Sequence, residues 1–377
     1  MRLWRYCVAA FIYDWFVFVF WTAVPVRAVR EFGASSTQLA LLQAASTVPY
    51  VLNSLFIGTL ADRWSKSLLA RVGCVVAALA CVWTAQAPSL AMLFVGVPLL
   101  GIGASIFWPP VQGGIGAETD PARMERALGT FNVMWSLGKA AGFAMAGKLV
   151  ADMGHSWVLW ISAASAVAVI PLYPRDVPAS TAPLPEGGHE GRAAFRTMSY
   201  VANFAAFGVG ATLQNQFFKY LKATVSTTTM SLETYFGLFL GAVFLAQTLM
   251  FFVLQRGARW TYRRWLLYGA QLLAAAALSV SVLLRDPTLL LLVAPLVGVG
   301  IGFTYASSIY YSLHGPSDHG RFAGIHEAVL GAGSFIIPLA GGVLADLAGD
   351  LRAPYWLAAG VSVASLALQE RIYRRSP

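Results

Sequence analysis

Apolar residues run along this chain in stretches broken by short clusters of charge, Gly and Pro, and the stretches recur from one end to the other. A helix of about twenty such residues spans the hydrocarbon of a bilayer. Runs and breakers place spans near 6–29, 37–61, 67–87, 89–112, 126–150 and 155–173. A second set falls near 197–221, 231–255, 263–284, 287–312, 322–346 and 353–370. The alternation of apolar and polar positions that marks a transmembrane β-barrel is missing, since each run stays apolar throughout. The expected fold class is therefore an all-α membrane protein with twelve transmembrane helices. The first run lies where a signal peptide would, but Asp14 interrupts it and no small-residue cleavage site follows. It reads as a retained first span.

Composition agrees. Of 377 residues, 58% are hydrophobic and 11% charged, against about a quarter charged in soluble domains. Twelve spans with their loops use the whole length, which leaves no room for a soluble domain. The net charge of +9 would suggest a polyanion partner in a soluble protein; here its placement carries the information. With both termini inside, 18 of the 26 Lys and Arg fall in cytoplasmic segments, among them Arg71, Arg256, Arg259, Arg263, Arg264, Arg371, Arg374 and Arg375. This positive-inside pattern sets the orientation, and no nucleic acid is implied. The expected location is a bacterial inner membrane, with both termini cytoplasmic. Cys7, Cys74 and Cys81 all lie in spans and show neither a disulfide framework nor metal-ligand spacing. Neither metal nor cofactor is expected.

The most hydrophilic, Pro- and Gly-rich stretch, 174–196, sits mid-chain and reads as a cytoplasmic linker between a bundle at 1–173 and another at 197–377. The halves resemble each other. Pro98-Leu-Leu-Gly101-Ile-Gly103 recurs as Pro295-Leu-Val-Gly298-Val-Gly300 at an offset of 197. Arg126-Ala-Leu-Gly129 recurs as Arg321-Phe-Ala-Gly324 at 195, and Trp64 as Trp260 at 196. Three consistent offsets imply two pseudo-symmetric six-helix bundles, related by an axis along the membrane normal.

At the end of the second span stands Gly58-Thr-Leu-Ala-Asp62-Arg63-Trp-Ser-Lys66-Ser-Leu-Leu-Ala-Arg71. It resembles the loop motif of the major facilitator superfamily, and the repeat and length fit that family over the whole chain. The resemblance implies a secondary transporter working by alternating access. It also implies that Asp62 faces the N-terminal end of the eleventh helix, near Arg321, where a carboxylate is favoured by the helix dipole. Gly58, Asp62, Arg63, Lys66 and Arg321 are the expected gating set, against a simpler reading of Asp62 and Arg63 as ordinary interfacial charges. Span 5 carries Gly129, Gly138, Gly142 and Gly147 at the spacing of the family's antiporter motif, with Phe143 for its proline and Ala146 for one glycine. This favours export; the rival is plain close packing of small residues. In span 4 the arginine usual in proton-coupled drug exporters is replaced by Val97.

Ionisable groups in mid-span cost about 2.5–3.5 kcal/mol on insertion scales, so each requires a reason. Asp14 shares a face with Val17, Phe18, Trp21 and Pro25, and is a candidate proton or cation site or else a charge paired nearby. Lys139, close to mid-membrane between Gly138 and Gly142, could exchange protons, attract an anion, or pair with a carboxylate. His326 and Glu327 in span 11 form a possible proton relay or a gating contact. Polar residues facing the solute are expected on spans 7 and 10: Gln214, Asn215, Thr304, Ser307 and Tyr311. With Phe18, Trp21, Trp108 and Gln112 they would give an aromatic cavity with a few polar anchors, although an interfacial aromatic belt explains some rings as well.

The leading expectation is export of a small, amphipathic solute, with protons as the possible coupling ion and the chain acting as a monomer in the lipid bilayer. Uptake of a metabolite such as a sugar or organic anion is the alternative. A membrane-embedded lipid enzyme lacks support: no HExxH, no Ser–His–Asp set and no metal cluster stands in the sequence.

Overall fold

A computed structural model describes residues 3–61, 64–115, 121–173, 192–225, 229–257, 259–313 and 319–375. The described residues form twelve α-helices and contain no strand. In chain order they are α1 (Leu3–Arg30), α2 (Ser36–Ala61), α3 (Lys66–Gln86), α4 (Leu90–Ile115), α5 (Pro121–Met153) and α6 (His155–Val169), then α7 (Arg192–Thr224), α8 (Leu232–Leu254), α9 (Arg264–Ser281), α10 (Pro287–Leu313), α11 (His319–Ala348) and α12 (Ala353–Arg375). Each coincides with one expected span. Among the described residues, α1, α3, α4, α8, α10 and most of α11 are long and apolar enough to cross a membrane by length and composition alone. Of the others, α6 is apolar but shorter.

Local chemistry sets the ends. Ser65 caps α3, its Oγ accepting from Leu68 N at 3.3 Å, and Ser231 does the same for α8 through Thr234 N at 3.2 Å. Asp286 accepts from Leu289 N at 2.9 Å ahead of Pro287, which stands where a helix can use proline. The break between α5 and α6 falls on Gly154, with φ of +81°, a conformation that side chains resist. Pro25 lies inside α1, yet the helix continues to Arg30.

The chain divides into two compact units. Unit 1 comprises Met1–Ala34, Leu41–Ala182 and Thr227–Gly241; unit 2 comprises Ser35–Ala40, Pro183–Ser226 and Ala242–Pro377. In unit 1, α1 packs on α5 and α6, and α3 on α4 and α6. In unit 2, α7 packs on α11 and α12, and α9 on α10 and α12. The same pairing therefore occurs twice.

Glycines show why the sequence repeats. A Cβ on Gly101 would meet the Ser46 carbonyl, and one on Gly298 the Val243 carbonyl. Gly103 lies against Gly73 and Ala77, as Gly300 does against Ala270 and Ala274. Gly138 meets the Phe11 carbonyl and Gly333 the Phe204 carbonyl. Each site lacks a side chain because a neighbouring backbone occupies its place. The sequence repeat is thus a repeat of close helix approaches.

Candidate functional site

In unit 1 the polar centre is built by α1 and α5. Gly138 and Gly142 sit against the backbones of Phe11 and Trp15, so the two helices approach closely along this seam. Lys139 stands between those glycines and is carried into the contact. Its Nζ lies 4.4 Å from the centroid of the Phe18 ring, a cation–π arrangement. Asp14, one turn earlier on α1, interacts electrostatically with Lys139. Both side chains are buried, at 4% and 8% exposure. Removed from water, each charge would cost several kcal/mol alone, and each offsets part of that cost for the other. Packing thus brings together three residues singled out from the sequence: Asp14, Phe18 and Lys139.

Aromatic rings continue this site. Tyr13 stacks on Phe107 at 3.7 Å between centroids, with planes 4° apart. Trp108 meets Tyr13 edge-on at 5.5 Å and Phe131 at 6.1 Å. Trp21 is buried with its ring edge on Phe20 at 5.8 Å. Gln112, by contrast, is exposed. Gly147 serves a different contact, lying against the backbone of Glu233 and Gly237 at the start of α8; Arg30 holds Glu233 with an ion pair of 2.7 Å. Gly129 lies in α5 and is half-buried.

In unit 2 the polar centre gathers on Tyr305. Its ring lies 5.6 Å from Phe207, 5.3 Å from Phe251 and 5.0 Å from the His326 imidazole, joining α7, α8, α10 and α11. His326 Nδ1 shares a 2.7 Å hydrogen bond with Ser308 Oγ. The ring is fully buried, and its Nε2 has no hydrogen-bond partner among the described residues. Glu327 follows on the half-buried side of α11. Thr304 and Ser307 are buried and donate to carbonyls of their own helix, Thr304 to Ile301 and Ser307 to Phe303. Tyr311 Oη accepts from Tyr262 N at 2.7 Å, towards the end of α10.

The amides of α7 have specific work. Asn215 Nδ2 donates to the Leu39 carbonyl at 2.7 Å, and Gln216 Nε2 to the Ser36 carbonyl at 2.9 Å. Both carbonyls belong to the first turn of α2. Asp346 of α11 caps the same turn, accepting from Ser36 N and Thr37 N at 3.0 and 2.8 Å. Gln214 beside them is buried.

Of the expected gating residues, Asp62 and Arg63 lie outside the described residues, as do the side chain of Arg321 and the surroundings of Gly58. Lys66 begins α3 and is half-buried.

Sequence reasoning missed Arg27, Asn203 and Gln247. Arg27 is buried and donates to the carbonyls of Thr84 and Ala87 at 2.5 and 2.6 Å, while Glu31 pairs with its Nε at 2.8 Å. It thereby satisfies the C-terminal carbonyls of α3 with a cation, the sign the helix dipole favours there. The charge pattern of the sequence gives Arg27 no partner. Asn203 and Gln247 are fully buried, and neither polar atom of either amide has a partner among the described residues. An amide within an apolar run was the available signal.

The described residues thus form twelve helices in two units of repeated packing, each with charged or hydrogen-bonding groups buried inside it. Residues 6–316 match the family model of the Major Facilitator Superfamily. The chain belongs to that superfamily, which places it among transporters and not enzymes. It is 24% identical over 143 residues to the uncharacterized MFS-type transporter YybF of Bacillus subtilis, a match covering 38% of this chain and 34% of that relative's length. Among solved structures it resembles a bacterial homologue of the human lysosomal transporter Spinster, inward-facing and unoccupied. That match has a TM-score of 0.68 and 16% identity, covering 99% of this chain and 97% of the other. It also resembles a variant of the nucleoside transporter NupG, with a TM-score of 0.72 and 14% identity over 98% and 99% of the two chains. At such identities the likeness is one of fold.

Proposed function

We propose that the chain is a proton-coupled exporter that moves a small amphipathic solute out of the cell by alternating access. In this reading Asp14 takes the coupling proton and Lys139 is its counter-charge. The observation that carries the proposal is the burial of Asp14 and Lys139, within electrostatic reach of each other, on the glycine seam of α1 and α5. One proton changes the net charge of such a pair, and a charge change deep in the bilayer is a strong lever on conformation. This offers a coupling group in a chain that has Val97 where related exporters carry arginine. The Tyr13, Phe107, Trp108 and Phe131 rings of unit 1 supply apolar surface for an amphipathic solute beside this pair. The outward direction rests on the α5 glycine pattern. Asp62, Arg63, Lys66 and Arg321 are the gating residues of this reading, and the chain works as a monomer in the inner membrane.

Transport into inverted vesicles tests this. With the interior acidified, a panel of dyes, antibiotics, sugars and organic acids is screened for uptake. At least one amphipathic member accumulates, and Asp14→Asn abolishes the dependence on the pH gradient while the folded protein is still recovered. A solute that instead leaves inverted vesicles together with protons would identify an uptake symporter and overturn the export reading.

A further inference from the structure

Beside the first turn of α9 lies a cavity of about 480 Å³ lined by Phe195, Tyr262, Arg263, Arg264, Trp265, Leu266 and Tyr373. It lies in unit 2 where α12 finishes, next to Tyr311 of α10. Two guanidinium groups and four aromatic rings line it, and the lining contains no carboxylate. Arg264 is held in place: its guanidinium sits 4.1 Å over the Tyr373 ring and 4.6 Å over Trp265, with Glu370 at 3.5 Å. Glu370 is already shared, pairing with Arg374 at 2.7 Å and accepting from Tyr268 Oη at 3.1 Å. Arg263 has no ion pair among the described residues. Arg256 and Arg259 stand a few positions earlier in the same loop, so cations outnumber anions here.

The backbone is held for this arrangement. Tyr262 adopts φ of +56°, a conformation that side chains resist. The Tyr311 hydroxyl receives its N–H, and Phe195 and Tyr311 flank its ring at 5.4 and 5.2 Å. Next to the arginines, Trp265 is 68% exposed and Leu266 43%. Apolar surface at the edge of a membrane helix faces lipid, and tryptophan favours the headgroup level. The site therefore offers paired guanidinium groups, which bind phosphate oxygens through fixed forks of N–H donors, beside a wall suited to acyl chains.

We infer that this cavity binds the phosphate headgroup of an anionic phospholipid, with the phosphate on Arg263 and Arg264 and the chains along Trp265 and Leu266. Basic pockets at the ends of membrane helices recognise lipid headgroups in this way. Free phosphate shares the headgroup chemistry but makes no use of Trp265 and Leu266.

Delipidated protein in detergent is titrated with phosphatidylglycerol or phosphatidylcholine and followed by native mass spectrometry and thermal melting. Phosphatidylglycerol binds in preference, and Arg263→Gln weakens it about five-fold, the effect of one arginine near a membrane surface. Arg263→Lys, which keeps the charge without the fork of donors, weakens it less than Arg263→Gln. Arg352→Gln, a charge change far along the chain that serves Asp350, leaves it intact. Equal binding of the two lipids, or equal loss in Arg352→Gln and Arg263→Gln, would overturn the assignment. So would stabilisation by inorganic phosphate or glycerol 3-phosphate matching that by the lipid.

Discussion

At the residue scale, buried charge decides most. Asp14 and Lys139 are each explicable only with the other nearby, because a lone ion in this environment is far costlier than a pair. Asp14→Asn or Lys139→Met alone should destabilise unit 1 by about 3 kcal/mol, with the double variant recovering part of the loss. Thermal melting of the purified variants measures this; additive losses would mean that the two groups do not interact. Arg27 is the second case. Replacing it with Met removes hydrogen bonds to the Thr84 and Ala87 carbonyls and should cost about 2 kcal/mol. Both candidate charges of the site were legible as ionisable residues within apolar runs. That they meet was not, since Asp14 and Lys139 lie on different helices whose rotation the runs do not reveal.

At the element scale, glycines set how near helices come. Gly138→Ala places a methyl against the Phe11 carbonyl and should cost about 1–3 kcal/mol through forced separation of α1 and α5. Gly269 and Gly360 have open space around them, so Gly269→Ala and Gly360→Ala should be neutral or stabilising by up to about 1 kcal/mol. Melting temperatures of the three single variants separate contact from mere composition. The span-5 glycine pattern was readable from spacing alone, yet its members divide: Gly138 and Gly142 face α1, whereas Gly147 faces α8. A helix presents different faces to different neighbours, and spacing does not name the neighbour. Likewise Asn215, placed from sequence among solute-facing groups, donates its amide to the α2 carbonyl of Leu39, as its neighbour Gln216 does to that of Ser36.

At the scale of the whole molecule, the charge distribution makes a topological prediction. Cysteines placed at Arg259 and at Arg285 should react with an impermeant maleimide from opposite sides, Arg259 from the cytoplasmic side. The native Cys7, Cys74 and Cys81 are buried, so the labelling background should be low without their removal. Labelling of both positions from one side would refute the orientation and the count of spans between them.

The amino-acid sequence by itself determined the number, length and approximate ends of the helices, because a chain in hydrocarbon must satisfy its backbone internally and helices of about twenty residues do so. It also carried the repeat, since glycine is required wherever backbones touch and both units place those contacts at equivalent positions. Tertiary structure alone decided the partners. Arg27 reaches Thr84 across 57 residues, Asn215 reaches Leu39 across 176, and Asp346 caps a helix 310 positions earlier. These pairings depend on which faces of which helices meet, and the apolar runs are nearly uniform around their circumference. A lone aspartate in such a run announces that a partner must exist. Only the packed helices say that for Asp14 it is Lys139.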